Sequence, residues 1–465
     1  MEIKFSNLGP VKDATLGLSP LTIICGRNNT GKSYLSYSLF GVLSYLKFLS
    51  FKVDKDVVHN LINEGVARIS IGRCLEHLPE HLREISSSVT QMLPIFFAAN
   101  PAHFRRASVE VSLNDGDIET SKPKARNVPF GRLGMLTLNK SLGKDYVEMS
   151  ISGFSHEALD NAGVIERLRK SIGEFIRDYL FAPLIGQVYF ASTERTGALI
   201  FRDELSEHGQ RVGSGDILDL DHGKFPSDFL GEMWKAIYPL PVTDDIQFIK
   251  HLKTIVNRES PLSRRNPELI AALDAISGGQ YNVTEKGVTY SPVDNPSLRL
   301  QMDESSSSVR SLVKMSFWIR HLANRGDFLM IDEPEMNMHP SSQRLMARWI
   351  AMLVNKGVRV LITTHSDYLV KELNTLIMLR RGRRHERILR LMEKNGITNS
   401  MLLSPSQLSL YVADRGKRSA AGNTGLAPTK LEKVEVDSSF GAAVPSFDDT
   451  IHEINALQRA IILGD

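Results

Sequence analysis

A short stretch near the N-terminus constrains the fold of this chain more than any other feature. Residues 21–25, Leu-Thr-Ile-Ile-Cys, have the length and apolar character of a buried strand, and Gly-Arg-Asn-Asn-Thr-Gly-Lys-Ser follows at residues 26–33. This is the complete pattern G-x-x-x-x-G-K-S of a phosphate-binding loop. Apolar residues then recur at helical spacing through residues 35–49. Strand, loop and helix in this order predict an anion site at the helix N-terminus.

The residue types in the loop suit a nucleotide with a magnesium ion. Glycines let consecutive backbone N–H groups surround a phosphate, a lysine adds positive charge beside the β- and γ-phosphates, and a serine hydroxyl reaches the metal. The alternative is a glycine-rich turn that merely contains Lys-Ser. The predicted nucleotide-binding residues are Gly26, Asn28, Asn29, Thr30, Gly31, Lys32 and Ser33, and Ser33 is also a predicted magnesium ligand.

Composition limits the class of protein. A length of 465 residues favours two or three structural units. The net charge of +3, from 56 basic and 53 acidic residues, gives no overall field for nucleic acid, so any basic site must be local. The two cysteines form neither a disulfide framework nor a metal cluster. Because no signal peptide and no apolar run of about 18 residues is present, we expect a cytoplasmic protein without a membrane anchor.

Two later strands end in residues that suit hydrolysis. The apolar run at residues 328–331 is followed by Asp332 and Glu333. Asp332 can hold magnesium through water, and Glu333 can orient or deprotonate the attacking water. A third strand, at residues 358–364, leads into His365, which can donate a hydrogen bond to the γ-phosphate or to that water. The alternatives are an acidic turn and a structural or surface histidine, and the phosphate-binding loop upstream favours the catalytic interpretation of both.

Together these segments resemble a known family. The loop at 26–33, the serine run at 305–308, Ile-Asp-Glu-Pro-Glu-Met-Asn-Met-His-Pro at 331–340 and Thr-Thr-His-Ser-Asp at 363–367 are similar to the ABC-type ATPase heads of the SMC, RecF and OLD group. Within that group the chain resembles the stand-alone ATPases of antiphage systems such as PARIS and Septu. The resemblance implies an α/β fold, namely an ABC-type P-loop ATPase head with two lobes and with helical and β insertions, and it implies ATP and Mg²⁺ as cofactors.

The resemblance also implies partners. In that family two heads enclose two ATP molecules, and the signature helix of each head contacts the nucleotide of the other, so we expect a homodimer or a higher oligomer. Ser306 and Ser307 are the predicted signature residues because they open the helix before the Asp-Glu strand, although Ser308 stands where the family often has glycine. Residues 276–280, Ile-Ser-Gly-Gly-Gln, spell a signature but lie too far upstream and precede a strand.

Two further motifs leave alternatives open. Thr-Glu-Arg-Thr at residues 193–196 resembles the Q-loop region without its glutamine. Glu194 or Arg195 therefore either senses the nucleotide or has no such role, and the sequence favours neither alternative. An arginine cluster near residue 385 can contact nucleic acid or an acidic partner, although such clusters more often form a solvated surface. Its members are Arg380, Arg381, Arg383, Arg384, Arg387 and Arg390.

The sequence predicts four segments and a function. The segments are the N-terminal β-meander and P-loop part (1–55), an inserted helical and β arm (56–185), the remainder of the head (186–375) and a basic α/β extension (376–465). The resemblance implies an Mg-ATP-hydrolysing sensor or regulatory subunit of a bacterial antiphage defence system, with a separate effector such as a nuclease or toxin and a phage trigger protein as partners. The alternatives are a DNA-repair ATPase of the RecF or SMC type and an ATP-gated scaffold that does not hydrolyse.

Overall fold

The computed structural model describes residues 1–47, 51–155, 161–184, 186–201, 238–285, 287–415, 428–439 and 441–442, so the part of the predicted 376–465 extension after residue 442 lies outside them. The strands are β1 (Glu2–Leu8), β2 (Val11–Gly17), β3 (Leu21–Cys25), β4 (Val66–Ser70), β5 (Ser108–Ser112), β6 (Lys124–Pro129), β7 (Met135–Lys140), β8 (Tyr146–Ser152), β9 (Val188–Ala191), β10 (Gly279–Thr284), β11 (Gly287–Pro292), β12 (Leu300–Gln301), β13 (Phe328–Asp332), β14 (Arg359–Thr364), β15 (Leu408–Arg415), β16 (Thr429–Val434), β17 (Val436–Asp437) and β18 (Gly441–Ala442).

The helices alternate with these strands along much of the chain. They are α1 (Lys32–Leu46), α2 (Lys55–Glu64), α3 (Ile71–Glu76), α4 (Leu78–Phe96), α5 (Ala162–Leu180), α6 (Arg195–Ile200), α7 (Leu240–Lys250), α8 (Leu252–Ile255), α9 (Pro261–Arg265), α10 (Glu268–Ser277), α11 (Ser307–His321), α12 (Pro340–Asn355), α13 (Asp367–Gly382) and α14 (Glu386–Lys394). The predicted α/β fold class is confirmed.

One large mixed sheet organises the described part of the chain. Its strand order is β5-β1-β2-β16-β15-β3-β14-β13-β9. The five strands from β15 to β9 are parallel to one another, whereas β16 is antiparallel to β15 and β1 pairs antiparallel with both β2 and β5. The loop strand β3 is therefore central, with β14 on one side and β13 one position further.

Alternate residues of the central strands face two different cores. Leu21, Ile23 and Cys25 of β3 join one buried cluster, and Ile24 joins the other, because successive side chains of a strand point to opposite faces. One cluster contains residues of α1, α4 and α5, and the other contains residues of α11, α12 and α13. Burial on both faces explains the nearly continuous apolar character of these parallel strands.

The large sheet contains strands from all four predicted segments. The edge strand β5 comes from residues 56–185, and β15 and β16 come from residues 376–465, yet β5 pairs with β1 and β15 pairs with β3. The remaining strands of residues 56–185 form a separate antiparallel sheet in the order β4-β8-β7-β6. Each segment therefore contributes to the head, and the division into four domains stays a prediction.

Two smaller observations concern the length of the helices and the state of the cysteines. The helices within the described ranges include none with the length and apolar character needed to cross a membrane. Both cysteines, Cys25 and Cys74, are free and buried. Burial raises the pKa of the Cys25 thiol to about 12 and that of the Cys74 thiol to about 11, so both remain protonated at neutral pH.

Candidate nucleotide site

The predicted site residues meet at one edge of the large sheet. Strand β3 ends before the 26–33 loop, β14 ends before His365, and β13 ends at Asp332. Because these strands are adjacent and parallel, with Cys25 level with Thr364 and Asp332 level with Thr363, their carboxyl ends lie together. Ligands of open α/β sheets bind outside the carboxyl ends of such strands.

The loop at residues 26–33 is held close to the neighbouring backbone. Gly26 has a φ of 149°, and a Cβ there would lie 2.3 Å from the carbonyl oxygen of Ala413 in β15, so only glycine fits. The Nζ of Lys32 donates to the carbonyls of Gly26 and Arg27, each at 2.9 Å. Burial lowers the pKa of Lys32, although the nearby carboxylates of Glu333 and Asp332 oppose this shift. A buried lysine thus lies where the motif places the phosphates.

Asp332 has the environment expected of a ligand for a bound cation. It is completely buried, and burial raises the pKa of its carboxyl to about 6, although hydroxyl groups of Thr363 and Ser33 lower it in part. The Thr363 hydroxyl donates to Oδ1, whereas the buried Oδ2 has no hydrogen-bond partner among the described residues. An ionised carboxylate with one unpartnered oxygen, beside an exposed Ser33, fits Mg²⁺, which prefers hard oxygen ligands.

The described residues offer few protein ligands for a metal. They contain no group of three or more His, Cys, Asp or Glu side chains that could hold an ion. Magnesium sites with one or two protein oxygens are completed by substrate phosphates and water. The role of Ser33 and Asp332 as magnesium ligands stays a prediction.

Glu333 and His365 form a close carboxylate–imidazole pair beside Asp332. The His365 Nδ1 lies 3.3 Å from the Glu333 Oε1. This contact raises the pKa of His365 and lowers the pKa of Glu333. Glu333 adopts a φ of 50°, which is uncommon for a residue with a side chain, and its N–H donates to the Thr363 carbonyl at 3.1 Å. The backbone thus fixes the direction in which the Glu333 carboxylate projects.

Glu335 belongs to this cluster, but sequence reasoning missed it. It is buried, and its Oε1 accepts hydrogen bonds from the Thr364 hydroxyl at 2.7 Å and from the His365 N–H at 2.8 Å. The same oxygen lies 3.4 Å from the His365 Nδ1. The available signal was a second acidic residue after the Asp-Glu pair, in Asp-Glu-Pro-Glu. Glu335 thus ties the end of β14 to the turn that follows β13.

The serine run opens a helix as predicted. Ser306 is the N-cap of α11, and its hydroxyl accepts a hydrogen bond from the Val309 N–H at 3.3 Å. Ser306 and Ser307 are both exposed. In contrast, the signature-like residues 276–280 span the end of α10, where Gly278 is the left-handed C-cap, and the start of β10. Their rejection as a signature agrees with this position, and the signature role of Ser306 and Ser307 stays a prediction.

Glu194 and Arg195 follow β9 and have very different surroundings. Glu194 is exposed, and its Oε2 accepts from the Tyr37 hydroxyl of α1 at 3.1 Å. Arg195 is buried, and the hydrogen bonds that its guanidinium makes to other described residues all go to backbone carbonyls. Glu194 is thus accessible from solvent, whereas the donors of Arg195 are already engaged within the protein. A nucleotide-sensing role for either residue stays a prediction.

The arginine cluster lies on the end of α13 and on α14. Within the described ranges, three of its members have partners: Arg380 donates to the Leu402 carbonyl at 3.4 Å, Arg381 to the Ser439 hydroxyl, and Arg390 to the Glu386 carboxylate. The other three, Arg383, Arg384 and Arg387, are exposed. They form the part of the cluster that a phosphate could reach.

Comparisons with known proteins bear on this site. Residues 244–370 match the AAA_15 family, described as an AAA ATPase domain. No curated protein matches the chain. Three solved structures are similar: an SMC head bound to the C-winged helix domain of ScpA (10% identity, 94% of this chain and 98% of that chain, TM-score 0.36), the SMC head domain from Thermotoga maritima (11%, 94% and 98%, 0.31), and an SMC head domain with an extended coiled coil derived from Pyrococcus furiosus (10%, 98% and 98%, 0.32).

The family match and the sheet geometry concern the same part of the chain. The matched segment contains α11, β13 and β14, and the 26–33 loop lies outside it but next to β14 in the same sheet. Residues 244–370, which include α11 and His365, are therefore similar to the AAA ATPase domain AAA_15.

Proposed function

We propose that this protein binds and hydrolyses Mg-ATP as an ABC-type ATPase. One observation carries the proposal, namely that Lys32, Asp332, Glu333 and His365 lie at or after the carboxyl ends of three adjacent parallel strands, at one edge of the sheet. The residue that we predict to bind the triphosphate and the residue that we predict to activate water therefore share this edge. The match of residues 244–370 to an ATPase domain supports the same activity.

The residues divide the work of hydrolysis. Lys32 and the N–H groups of the loop hold the phosphates, and Ser33 and Asp332 would hold the magnesium ion, which neutralises phosphate charge when it is bound. Glu333, next to the predicted phosphate site, orients the attacking water and accepts its proton. His365, whose pKa is raised, donates a hydrogen bond to the γ-phosphate.

Dimerisation across ATP is part of the proposal. The exposed serines at the N-terminus of α11 present hydroxyl and N–H groups that could donate hydrogen bonds to a second phosphate. Two heads would then enclose two ATP molecules, with Ser306 and Ser307 of each head against the nucleotide of the other. ATP would favour the closed dimer only through these contacts, which the open state lacks.

The biological role rests on the motif resemblance. We propose a regulatory ATPase of an antiphage defence system that responds to a phage trigger and controls a separate effector, a nuclease or a toxin. A DNA-repair ATPase of the RecF or SMC type is the second candidate, and the exposed Arg383, Arg384 and Arg387 favour it because they are free to contact phosphates. A scaffold that binds ATP without hydrolysing it is the third.

Two measurements separate these candidates. Phosphate release by the purified wild-type protein distinguishes a hydrolase from a scaffold. Affinity purification of the Glu333→Gln variant from its native cells with Mg-ATP, followed by mass spectrometry and nucleic-acid extraction, then identifies the partner, since the closed state should accumulate. A stoichiometric nuclease or toxin-like protein would support the defence role. DNA without a protein partner would replace it with the repair role.

A further inference from the structure

Arg195 joins three elements around the nucleotide site. It is only 3% exposed. Its Nε donates to the Ser311 carbonyl at 3.0 Å and its Nη1 to the Ser192 carbonyl at 2.6 Å. Two further bonds reach the end of β13: Nη1 donates to the Asp332 carbonyl at 2.9 Å, and Nη2 to the Glu333 carbonyl at 3.0 Å. These bonds use all but one of the guanidinium N–H groups.

Burying a charged guanidinium without a directly bonded carboxylate costs free energy. Burial lowers the pKa of Arg195, although Asp245 and the carboxylates of the site favour its charged form. Within the part of the chain that the structure describes, its four hydrogen bonds go to backbone carbonyls and none goes to a carboxylate. A cation that stabilises the core alone is normally paired with an anion. The geometry therefore suggests that Arg195 fixes the backbone to which the catalytic carboxylates are attached.

The Glu333 backbone depends on this contact. Its N–H is held by Thr363, and its carbonyl is held by Arg195, so both peptide groups of a residue with a φ of 50° are fixed. A positive φ in a residue with a side chain persists only when the surroundings enforce it. Loss of the Arg195 bond would leave the Glu333 peptide free to relax and would change the direction of the carboxylate.

The Arg195 guanidinium also bonds to α11, the helix that begins at Ser307. Ser311 belongs to α11, whose N-cap is Ser306. One turn further, the ammonium of Lys314 is bonded to Asp244 at 2.6 Å and to Asp245 at 2.7 Å, which anchors α11 to α7. The Asp245 carboxylate also accepts from the Ser192 N–H at 3.1 Å. The helix that would meet the partner's ATP is thus joined to Glu333 through one side chain.

We infer that Arg195 is a positioning residue that couples the placement of α11 to the orientation of Glu333. Movement of α11 when it meets the partner's nucleotide would shift the Ser311 carbonyl and, through the guanidinium, the peptide of the base. This inference rests on the proposed ATPase function. It assigns Arg195 an indirect role, through the backbone, rather than direct contact with the nucleotide.

The test compares Arg195→Lys with Arg348→Lys in the full-length protein. Arg348 is a buried arginine bonded to Glu372 and to the Asn395 carbonyl, none of them a predicted site residue, so it controls for the substitution itself. Arg195→Lys should lower kcat about 10- to 100-fold, because lysine cannot bridge three elements and a misplaced base is costly. Affinity for ATP should change by less than about threefold, since none of the four acceptors lies in the 26–33 loop.

A double-mutant cycle shows whether Arg195 acts through Glu333. In the Glu333→Gln background, Arg195→Lys should change the residual rate by less than about twofold. An additive loss in that background would overturn the inference, as would an unchanged kcat for Arg195→Lys, loss of ATP binding, or an equal loss for Arg348→Lys. Absence of hydrolysis in the wild-type protein would instead overturn the proposed function itself, and the inference with it.

Discussion

Two clusters of charged side chains in this molecule differ in how their buried carboxylates are satisfied. The first, the nucleotide edge, consists of Asp332, Glu333, Glu335 and His365. The second, the interior ion cluster, consists of Lys314, Asp244 and Asp245. At the nucleotide edge the buried Asp332 Oδ2 and Glu335 Oε2 have no hydrogen-bond partner among the described residues. In the interior cluster one ammonium bonds both carboxylates.

The difference separates a ligand site from a structural one. Buried polar atoms are nearly always hydrogen-bonded, so an unpartnered carboxylate oxygen indicates a group that is still to bind. Asp244 and Asp245 both bond the ammonium of Lys314, so each carboxylate has a partner, and this contact holds α11 against α7. The two clusters should therefore respond in different ways to substitution, to ligand and to pH.

The largest expected effect separates the two glutamates of the nucleotide edge. Glu333→Gln should lower the rate of ATP hydrolysis by about 10²- to 10⁴-fold, because it removes the general base, while ATP binding remains. Glu335→Gln should lower the rate only about 10-fold, because it weakens the two hydrogen bonds that hold Thr364 and His365. Phosphate release under single-turnover conditions measures both. A larger loss for Glu335→Gln would assign the base to Glu335.

Neutral substitutions should change stability in opposite directions in the two clusters. Lys314→Met leaves two buried carboxylates without their cation and should cost about 3–5 kcal/mol of unfolding free energy. Asp332→Asn should stabilise the nucleotide-free protein by up to about 3 kcal/mol at pH 8, because the pKa of Asp332 is raised from 3.8 to about 6 and its ionised form is disfavoured. Urea denaturation measures both changes.

The pH dependence provides the control for Asp332→Asn. The native state holds a proton on Asp332 that the unfolded chain loses between pH 3.8 and about 6. The stabilisation should therefore vanish below pH 4, grow between pH 4 and 6, and be complete above pH 6. Mg-ATP should raise the melting temperature of the wild-type protein more than that of the variant. A destabilising Asp332→Asn would show that its unpartnered oxygen does not await a ligand.

Lys32→Ala should abolish measurable ATP binding, with a loss of at least about 100-fold in affinity, since a charge-assisted contact to the phosphates is lost from a buried position. Titration with a fluorescent ATP analogue measures the affinity. Lys12→Ala, at an exposed position of β2, is the matched control. Retention of ATP affinity by Lys32→Ala would remove the 26–33 loop from the site.

The sequence predicted the parts of the nucleotide edge better than their assembly. The loop, the Asp-Glu pair and His365 were predictable because each directly follows an apolar strand in a contiguous motif. The place of β15 beside the loop strand was not predictable, because it depends on pairing between residues nearly 400 positions apart. The carbonyl contacts of Arg195 were equally hidden, since a backbone acceptor leaves no mark on residue identity. Glu335 had a signal in Asp-Glu-Pro-Glu that was present but not used.

The smallest effect concerns His365, and it tests whether the charges of the nucleotide edge are coupled. The Glu333 carboxylate raises the pKa of His365, so this pair stabilises the fold below about pH 6.5, and the contribution is lost as pH rises through the raised pKa. The lowered pKa of Glu333 adds stability that is present above about pH 4.5, and this stability is lost as pH falls through the lowered pKa of the folded protein. Between these limits both groups are charged.

Glu333→Gln should therefore lower the pKa of His365 toward its ordinary value, whereas Lys314→Met should leave it unchanged, because the interior ion cluster makes no contact with that ring. Titration of the His365 ring protons by NMR in both variants measures the shift. An equal shift in the two variants would mean that the clusters form one electrostatic unit. A shift confined to Glu333→Gln would show that the charge of His365 depends on Glu333 and is independent of the interior ion cluster.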